Sequence, residues 1–329
     1  MKRWSCEKAN AWYRRKRMPI GCNFIPSTAV NDIAMWQADT FDRAAIDREL
    51  GWAADLGMNS IRIFLNYVVW EQDAAWCKHA LKEFLEISQG HGLSVVPTLF
   101  DDCNFAGREA KAGLQPVPVP GVHNSGWVSS PPLRMIADES VWDPLRSYVS
   151  DMIRTFSTDE RIIFWDLYNE PGHWQGERSL PLLKSTFEWA RAAAPEQPLT
   201  AGTWSDNEVF NAFQYEASDI ITFHNYHDAA VLARQITERK EHGRPVICTE
   251  WMRRGVSDIE TCLPVFMDMN VGCYMWGLVA GKTQTIFPWG SPQGAEEPAV
   301  WFHDLLRNDG TPFNEREAFL FRTISGKIG

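Results

Sequence analysis

The chain has 329 residues, 45% of them hydrophobic and 22% charged, with 22 Gly and 19 Pro. That balance excludes a disordered chain, a collagen-like fibre and a coiled coil, and no apolar stretch reaches the roughly 18 residues needed to span a bilayer. Lys and Arg total 32 against 42 Asp and Glu, a formal net charge of −10. Such a surface argues against nucleic acid or an anionic membrane as partner and suits a neutral or cationic substrate.

Taken in chain order, residues 1–17 are polar, end on the basic run Arg14, Arg15, Lys16 and Arg17, and lack an apolar h-region. The basic run reads as a solvated surface segment, and no secretory signal is seen, so the expectation is a cytoplasmic protein; a secreted one follows if a signal has been removed. A short apolar run at 20–24 comes next. Helical spacing then covers 40–56, opening on Thr40 and closing at Gly57. A run at 60–65, a helix over 75–88 ending near Gly90 and Gly92, and a run at 93–100 follow. The connection 101–141 carries Pro116, Pro118, Pro120, Pro131 and Pro132. Helices are predicted over 143–156, 180–194, 229–241 (closing at Gly243) and 259–269, with a weaker candidate at 206–217. Between them lie runs at 162–168, 199–203, 220–224, 246–250 and 273–278. A second long connection, 279–298, holds Gly281, Pro288, Gly290, Pro292 and Gly294, and a short helix is predicted over 300–307.

Near-continuous hydrophobic strands that alternate with helices imply a parallel sheet covered on both faces. Eight such units predict an α/β fold, a closed (β/α)8 TIM barrel, with residues 1–329 as a single domain and long βα loops after strands 3 and 8. A doubly wound open sheet is the alternative, but it needs a Gly-rich phosphate turn; neither GxGxxG nor GxxxxGK[ST] occurs. Loops as long as these two are usually functional, and they leave the strands at the end where barrel active sites are built. Seven cysteines (6, 22, 77, 103, 248, 262, 273) are scattered without CxxC spacing. They read as buried free thiols in a reducing compartment, with neither a disulfide framework nor a zinc site.

Strand 4 ends Trp165-Asp166-Leu167-Tyr168-Asn169-Glu170-Pro171-Gly172, and strand 7 ends Val246-Ile247-Cys248-Thr249-Glu250-Trp251. In each, an acidic residue terminates an apolar run. A carboxylate there must be paired, hydrogen-bonded or catalytic, because burying a lone charge is costly. Asn-Glu-Pro alone is also a plain strand-ending turn; two such glutamates on one barrel point to function. Two carboxyl groups facing across a pocket cleave glycosidic bonds. One, held protonated, donates to the leaving oxygen, and the other attacks the anomeric carbon to give a covalent glycosyl-enzyme that water releases.

With these residues in view, the chain resembles a clan A glycoside hydrolase, most closely family 5, the cellulase and mannanase group. Arg62 in Ser60-Ile61-Arg62-Ile63 resembles the strand-2 arginine, and Asn169-Glu170-Pro171 looks like the motif that carries the acid/base. His224-Asn225-Tyr226 is similar to the strand-6 His-x-Tyr, Glu250 to the strand-7 nucleophile, and Trp276 in Tyr274-Met275-Trp276-Gly277 to the strand-8 sugar platform. The resemblance implies a retaining β-glycosidase acting on β-mannoside, β-glucoside or xylan-type chains in carbohydrate metabolism or polysaccharide degradation, with no metal and no cofactor.

Each residue also has a physical role. Arg62 is expected to hold Glu250 ionised, or to be a barrel-core ion pair; Asn169 to bond the sugar 2-OH; Tyr226 to tune the nucleophile. His224 orients the pair or is a structural histidine, and Trp276 is a sugar platform or core. Strand 3 departs from the family, which often has histidine there; this chain has Asp101-Asp102-Cys103-Asn104. Asp101 and Asp102 are expected to bond sugar hydroxyls or to cap a loop. Sixteen tryptophans give a supply of sugar-stacking faces. Trp70, Trp127, Trp174, Trp204, Trp251, Trp276 and Trp289 are placed at the rim, and Trp12, Trp36, Trp52, Trp142, Trp189 and Trp301 in the core. The stretch His123-Asn124-Ser125-Gly126-Trp127 and residues 282–289 are expected to wall the cleft; closing one end would make an enzyme that trims chain ends.

Three other readings stand beside this one. A non-catalytic sugar-binding barrel need not keep both glutamates. A metal-dependent barrel hydrolase needs an early HxH, whereas only His224 and His227 stand close. A transglycosylase shares the same intermediate and differs only in its acceptor. The sugar, the linkage, endo or exo action and the oligomeric state are open at this level.

Overall fold

The computed structural model describes residues 1–325. Its eight parallel strands are β1 (Ile20–Asn23), β2 (Ser60–Phe64), β3 (Ser94–Asp101), β4 (Trp165–Asn169), β5 (Leu199–Thr200), β6 (Ile221–Asn225), β7 (Val246–Trp251) and β8 (Gly272–Trp276). They form one sheet in the order β5-β4-β3-β2-β1-β8-β7-β6. The two ends of that order meet at Thr203. Its amide donates to the Thr222 carbonyl at 3.0 Å and its carbonyl accepts from the His224 amide at 2.9 Å. The sheet thereby nearly closes on itself, with helices between successive strands, as the alternation predicts.

Every residue of β1, β2, β4, β6 and β7 is buried, because one face of each strand looks into the barrel and the other meets a helix. Several strands end on polar residues that the apolar runs did not include: Asp101, Asn169 and Asn225. The predicted helices are present with shifted ends. Arg43–Asp55 is capped by Asp42, whose side chain accepts from the Ala45 amide, and not by Thr40. The weak candidate is a full helix, Glu208–Ala217, capped by Asn207. The stretch 300–307 is not helical. Asp304 has a left-handed φ of 58° in its middle, and the Leu305 and Leu306 amides bond the Leu278 carbonyl, so the segment runs back along the exit of β8. Short helices Asp32–Trp36, Tyr67–Gln72 and Leu133–Ile136 sit in the loops after β1, β2 and β3, and Glu315–Ser325 follows the last strand.

The N-terminal segment is partly buried. Cys6–Arg15 is a helix started by Ser5, which accepts from the Lys8 amide at 3.2 Å. Its Ala9 and Trp12, with Trp4 beside them, pack on Val96, Ile163, Phe164, Ile220, Ile247 and Tyr274 at the N-terminal ends of the strands. The basic run, which begins in the last turn of this helix, is exposed, as expected. Spacing of two tryptophans and an alanine among charges thus buries a small apolar face that stoppers the barrel floor. Among the described residues no helix is long and apolar enough to cross a membrane.

Truncating this stopper tests its weight. Trp12→Ala should lower the unfolding free energy by about 3 kcal/mol, in the range for buried tryptophans, while the folded fraction keeps its activity. Urea denaturation followed by fluorescence measures it, and an unchanged midpoint would mean that the helix adds nothing to the floor.

Candidate active site

Parallel barrel strands deliver their C-terminal residues to one end of the molecule, and the site is assembled there around Arg62 of β2. Its guanidinium is fully buried. Nη1 donates to Glu250 Oε1 at 2.8 Å and to Asn23 Oδ1 at 2.7 Å, Nη2 to Asn169 Oδ1 at 2.7 Å, and Nε to Asp166 Oδ2 at 3.0 Å. Burial alone would weaken its hold on the proton; the Asp166 and Glu250 carboxylates more than offset that, and its pKa ends above the ordinary value. The ion pair to Glu250 and the core ion pair to Asp166 therefore coexist on one side chain.

Glu250 reaches the barrel interior through a bulge. Phe223 of β6 pairs with Cys248, but the next residue, His224, pairs with Glu250, so Thr249 is an extra residue in β7. Tyr226 Oη donates to Glu250 Oε2 at 2.9 Å. Glu170 leaves β4 in the left-handed region with φ 42°, a strained conformation for a residue with a side chain. Its Oε1 lies 2.8 Å from His224 Nδ1, and its Oε2 accepts from Cys103 Sγ at 3.2 Å. His224 Nδ1 is also 3.5 Å from Glu250 Oε2, and an oxygen of each glutamate lies within 4.8 Å of the other.

Burial pushes both carboxyls above the usual range. At Glu250 the nearby Glu170 adds to the rise, while His224 and Arg62 oppose it. At Glu170 the opposing groups are His173, the Cys103 thiol and, farther off, Arg62. Burial drives His224 down to about 4, so it stands neutral between the two acids at neutral pH.

A cavity of about 520 Å³ opens over these groups. Trp127 and Trp276 form one wall, edge to face at 6.1 Å. Trp289, 42% exposed, also lines it and stands edge-on to Tyr226 at 5.0 Å. The two long loops are joined above: the Asn124 amide donates to the Thr283 carbonyl at 2.8 Å, and His123 Nδ1 lies 2.8 Å from the Phe287 carbonyl. His123, Asn124 and Trp289 line the cavity as expected of walls; Lys282 does not.

Asp101 lines the cavity with its oxygens occupied, accepting from Trp127 Nε1 at 2.7 Å, Asn169 Nδ2 at 2.9 Å and the Cys103 amide at 2.9 Å. Asp102 does not line the cavity. It turns away from the cavity to accept from Tyr168 Oη at 2.8 Å, the Gly172 amide at 2.6 Å and Ser179 Oγ, so it anchors the turn that carries Glu170. Trp251, next to Glu250, points to the opposite face because side chains alternate along a strand; it is fully buried against Phe266 and outside the site. Trp70 is tied to Asp151 and Trp174 lies outside the cavity lining, whereas Trp204 lines it.

Sequence reasoning missed several participants. Asn23, Asp166, Cys103 and His303 carry no motif; the one available signal was Asp166, an acid inside an apolar run with Arg62 two strands away. Six cysteines are buried free thiols as expected, and Cys6 is exposed.

Residues 121–281 match the family model described as cellulase (glycosyl hydrolase family 5). The chain is a glycoside hydrolase, similar over this stretch to family 5. Solved structures share the barrel of this glycoside hydrolase at low identity. A GH5_18 alanine variant from Streptomyces cattleya, in complex with Manb1-4GlcNAc, is 14% identical with a TM-score of 0.63, covering 94% of this chain and 80% of that one. The exo-beta-1,4-mannosidase Op5Man5 from Opitutaceae bacterium strain TAV5 is 17% identical with a TM-score of 0.64, covering 94% and 60%. The endo-beta-1,4-mannanase from Thermotoga petrophila is 16% identical with a TM-score of 0.59, covering 96% and 78%. No curated protein sequence matches the chain.

The histidines set an acid limit on stability. His123 is buried beneath the loop junction and pushed down to about 4. Between its ordinary value of 6.5 and about 4 the unfolded chain binds a proton that the folded one refuses, so stability falls as pH drops through that window. His123→Gln should remove about 3 kcal/mol of that loss, the equivalent of a shift of this size. Unfolding free energies from pH 7 to pH 4 measure it; equal slopes for the two proteins would refute the assignment.

Proposed function

We propose that this glycoside hydrolase is a retaining β-glycosidase with Glu250 as nucleophile and Glu170 as acid/base. The observation that carries the reading is the pair of glutamates with oxygens within 4.8 Å of each other and unlike partners. Retaining enzymes hold their carboxyls about 5–5.5 Å apart, too close for the intervening water of an inverting enzyme. Glu250 takes two donors, Arg62 and Tyr226, which favour its charged form. Among the described residues no Arg or Lys bonds Glu170, whose partners are His224, the Cys103 thiol and, at 3.9 Å, His173, and the proton that the pair shares is assigned to it.

The steps follow from these positions. Glu250 attacks the anomeric carbon as Glu170 passes its proton to the departing oxygen, and the glycosidic bond breaks. Glu170, now ionised, takes a proton from water, whose oxygen attacks the same carbon and restores Glu250. Asn169 lines the cavity, its second amide N–H facing the Cys103 sulfur at 3.7 Å, where it can share that hydrogen with the 2-OH, and Trp276 offers the platform under the ring. A non-catalytic sugar-binding role has no use for two acids with opposed partners. A sugar hydroxyl in place of water gives transglycosylation through the same intermediate.

The joined loops and the bounded cavity favour short chains, cut at an end, over internal cleavage of a polymer. β-Mannosides are the first sugars to test, because the exo-beta-1,4-mannosidase and the GH5_18 complex with Manb1-4GlcNAc share the barrel.

A screen of 4-nitrophenyl β-mannoside, β-glucoside and β-xyloside, followed by NMR of the product, tests the reading. The first-formed product should be the β-anomer, and Glu250→Ala should lower turnover by about 10⁴-fold or more. An α-anomer formed first, or turnover by Glu250→Ala within about tenfold of the parent, would overturn it.

A further inference from the structure

Cys103 donates to Glu170 a hydrogen bond that neither the family resemblance nor the proposed reaction uses. We propose that Cys103 is a positioning residue, its thiol donating to Glu170 Oε2 and fixing the orientation of the acid/base carboxyl. This inference rests on the acid/base reading of Glu170.

The thiol is itself held in place. The Cys103 amide donates to Asp101 Oδ1 at 2.9 Å, and its sulfur lies 3.7 Å from Asn169 Nδ2, which donates to it. With a donor behind the sulfur, its own hydrogen is directed at Glu170 Oε2, 3.2 Å away. His224 holds the other oxygen at 2.8 Å. Glu170 stands on a backbone in the left-handed region, so two contacts at its tip fix the direction of a side chain whose base is strained. Cys103 is 6% exposed. Burial, with Asp101, Glu170 and Glu250 around it, raises its pKa well above the ordinary value, and it stays a thiol and therefore a donor.

The charged and titratable groups facing Glu170 are Arg62, Asp101, His173, His224, Tyr226 and Glu250. The thiol adds a donor to the carboxylate form, so its loss raises the pKa of Glu170. The alkaline limb of the rate profile, which reports the acid in its protonated form, then moves to higher pH.

The test uses kcat/KM on two substrates bearing the sugar that ranks first in the screen above: an unactivated disaccharide, whose departure needs the acid, and the 2,4-dinitrophenyl glycoside, whose departure does not. Glu170→Gln is the reference and should lose activity on the disaccharide alone. Cys103→Ala should lose roughly tenfold on the disaccharide and less than about twofold on the dinitrophenyl substrate, with its alkaline limb shifted upward. Cys103→Ser, which keeps a donor, should restore both. Equal losses on the two substrates with an unmoved limb, or a serine variant as impaired as alanine, would overturn the proposal. If Glu170→Gln itself loses equally on both substrates, the acid/base reading fails instead. Thermal melts verify folding, and Cys103→Val, of similar volume and without a donor, stands in should the alanine variant unfold.

Discussion

A single buried cation organises this barrel. Arg62 sits in the sheet with no exposure to solvent, and its guanidinium donates four hydrogen bonds to oxygens from β1, β4 and β7. An isolated guanidinium in that position would cost far more than the fold can spare. Because every partner is in place, the charge instead ties three strands together and orients Glu250, Asp166 and Asn169 at once. Removing one partner from a buried pair of this kind costs about 3–5 kcal/mol, so the geometry of the site and the integrity of the core are the same constraint.

Around that centre the backbone departs from regularity in two places, and both aim a carboxylate. The extra residue in β7 turns Glu250 inward while leaving Trp251 to the outer face. The left-handed φ of Glu170 bends the chain out of β4, and Asp102 grips the following turn at Gly172 and Ser179. Strain at a site must be held by its surroundings. Here the holding residue is a buried acid one position beyond β3, where a sugar ligand or a loop cap was expected.

The two ends of the barrel solve different problems. At the floor, Trp4 and Trp12 pack over the strand ends. At the mouth, the loops after β3 and β8 are joined through His123 and Asn124, making walls rather than a stopper. Between them lies a polar chamber with aromatic sides, which suits a molecule having apolar ring faces and a hydroxyl edge.

Much was determined by local pattern. Eight buried runs alternating with amphipathic helices, and an acid ending two of those runs, already specify a barrel with Glu170 and Glu250 at one end, because burial and periodicity act over a few residues. What lay beyond it depends on distance in space. That Asp102 and Trp251 face away, that residues 300–307 pair with the exit of β8, that the first helix closes the floor and that Cys103 touches Glu170 all follow from a bulge, a single positive φ and contacts between segments far apart in the chain. A one-residue change of register reverses which side a side chain faces, and nothing in the order of amino acids alone records it.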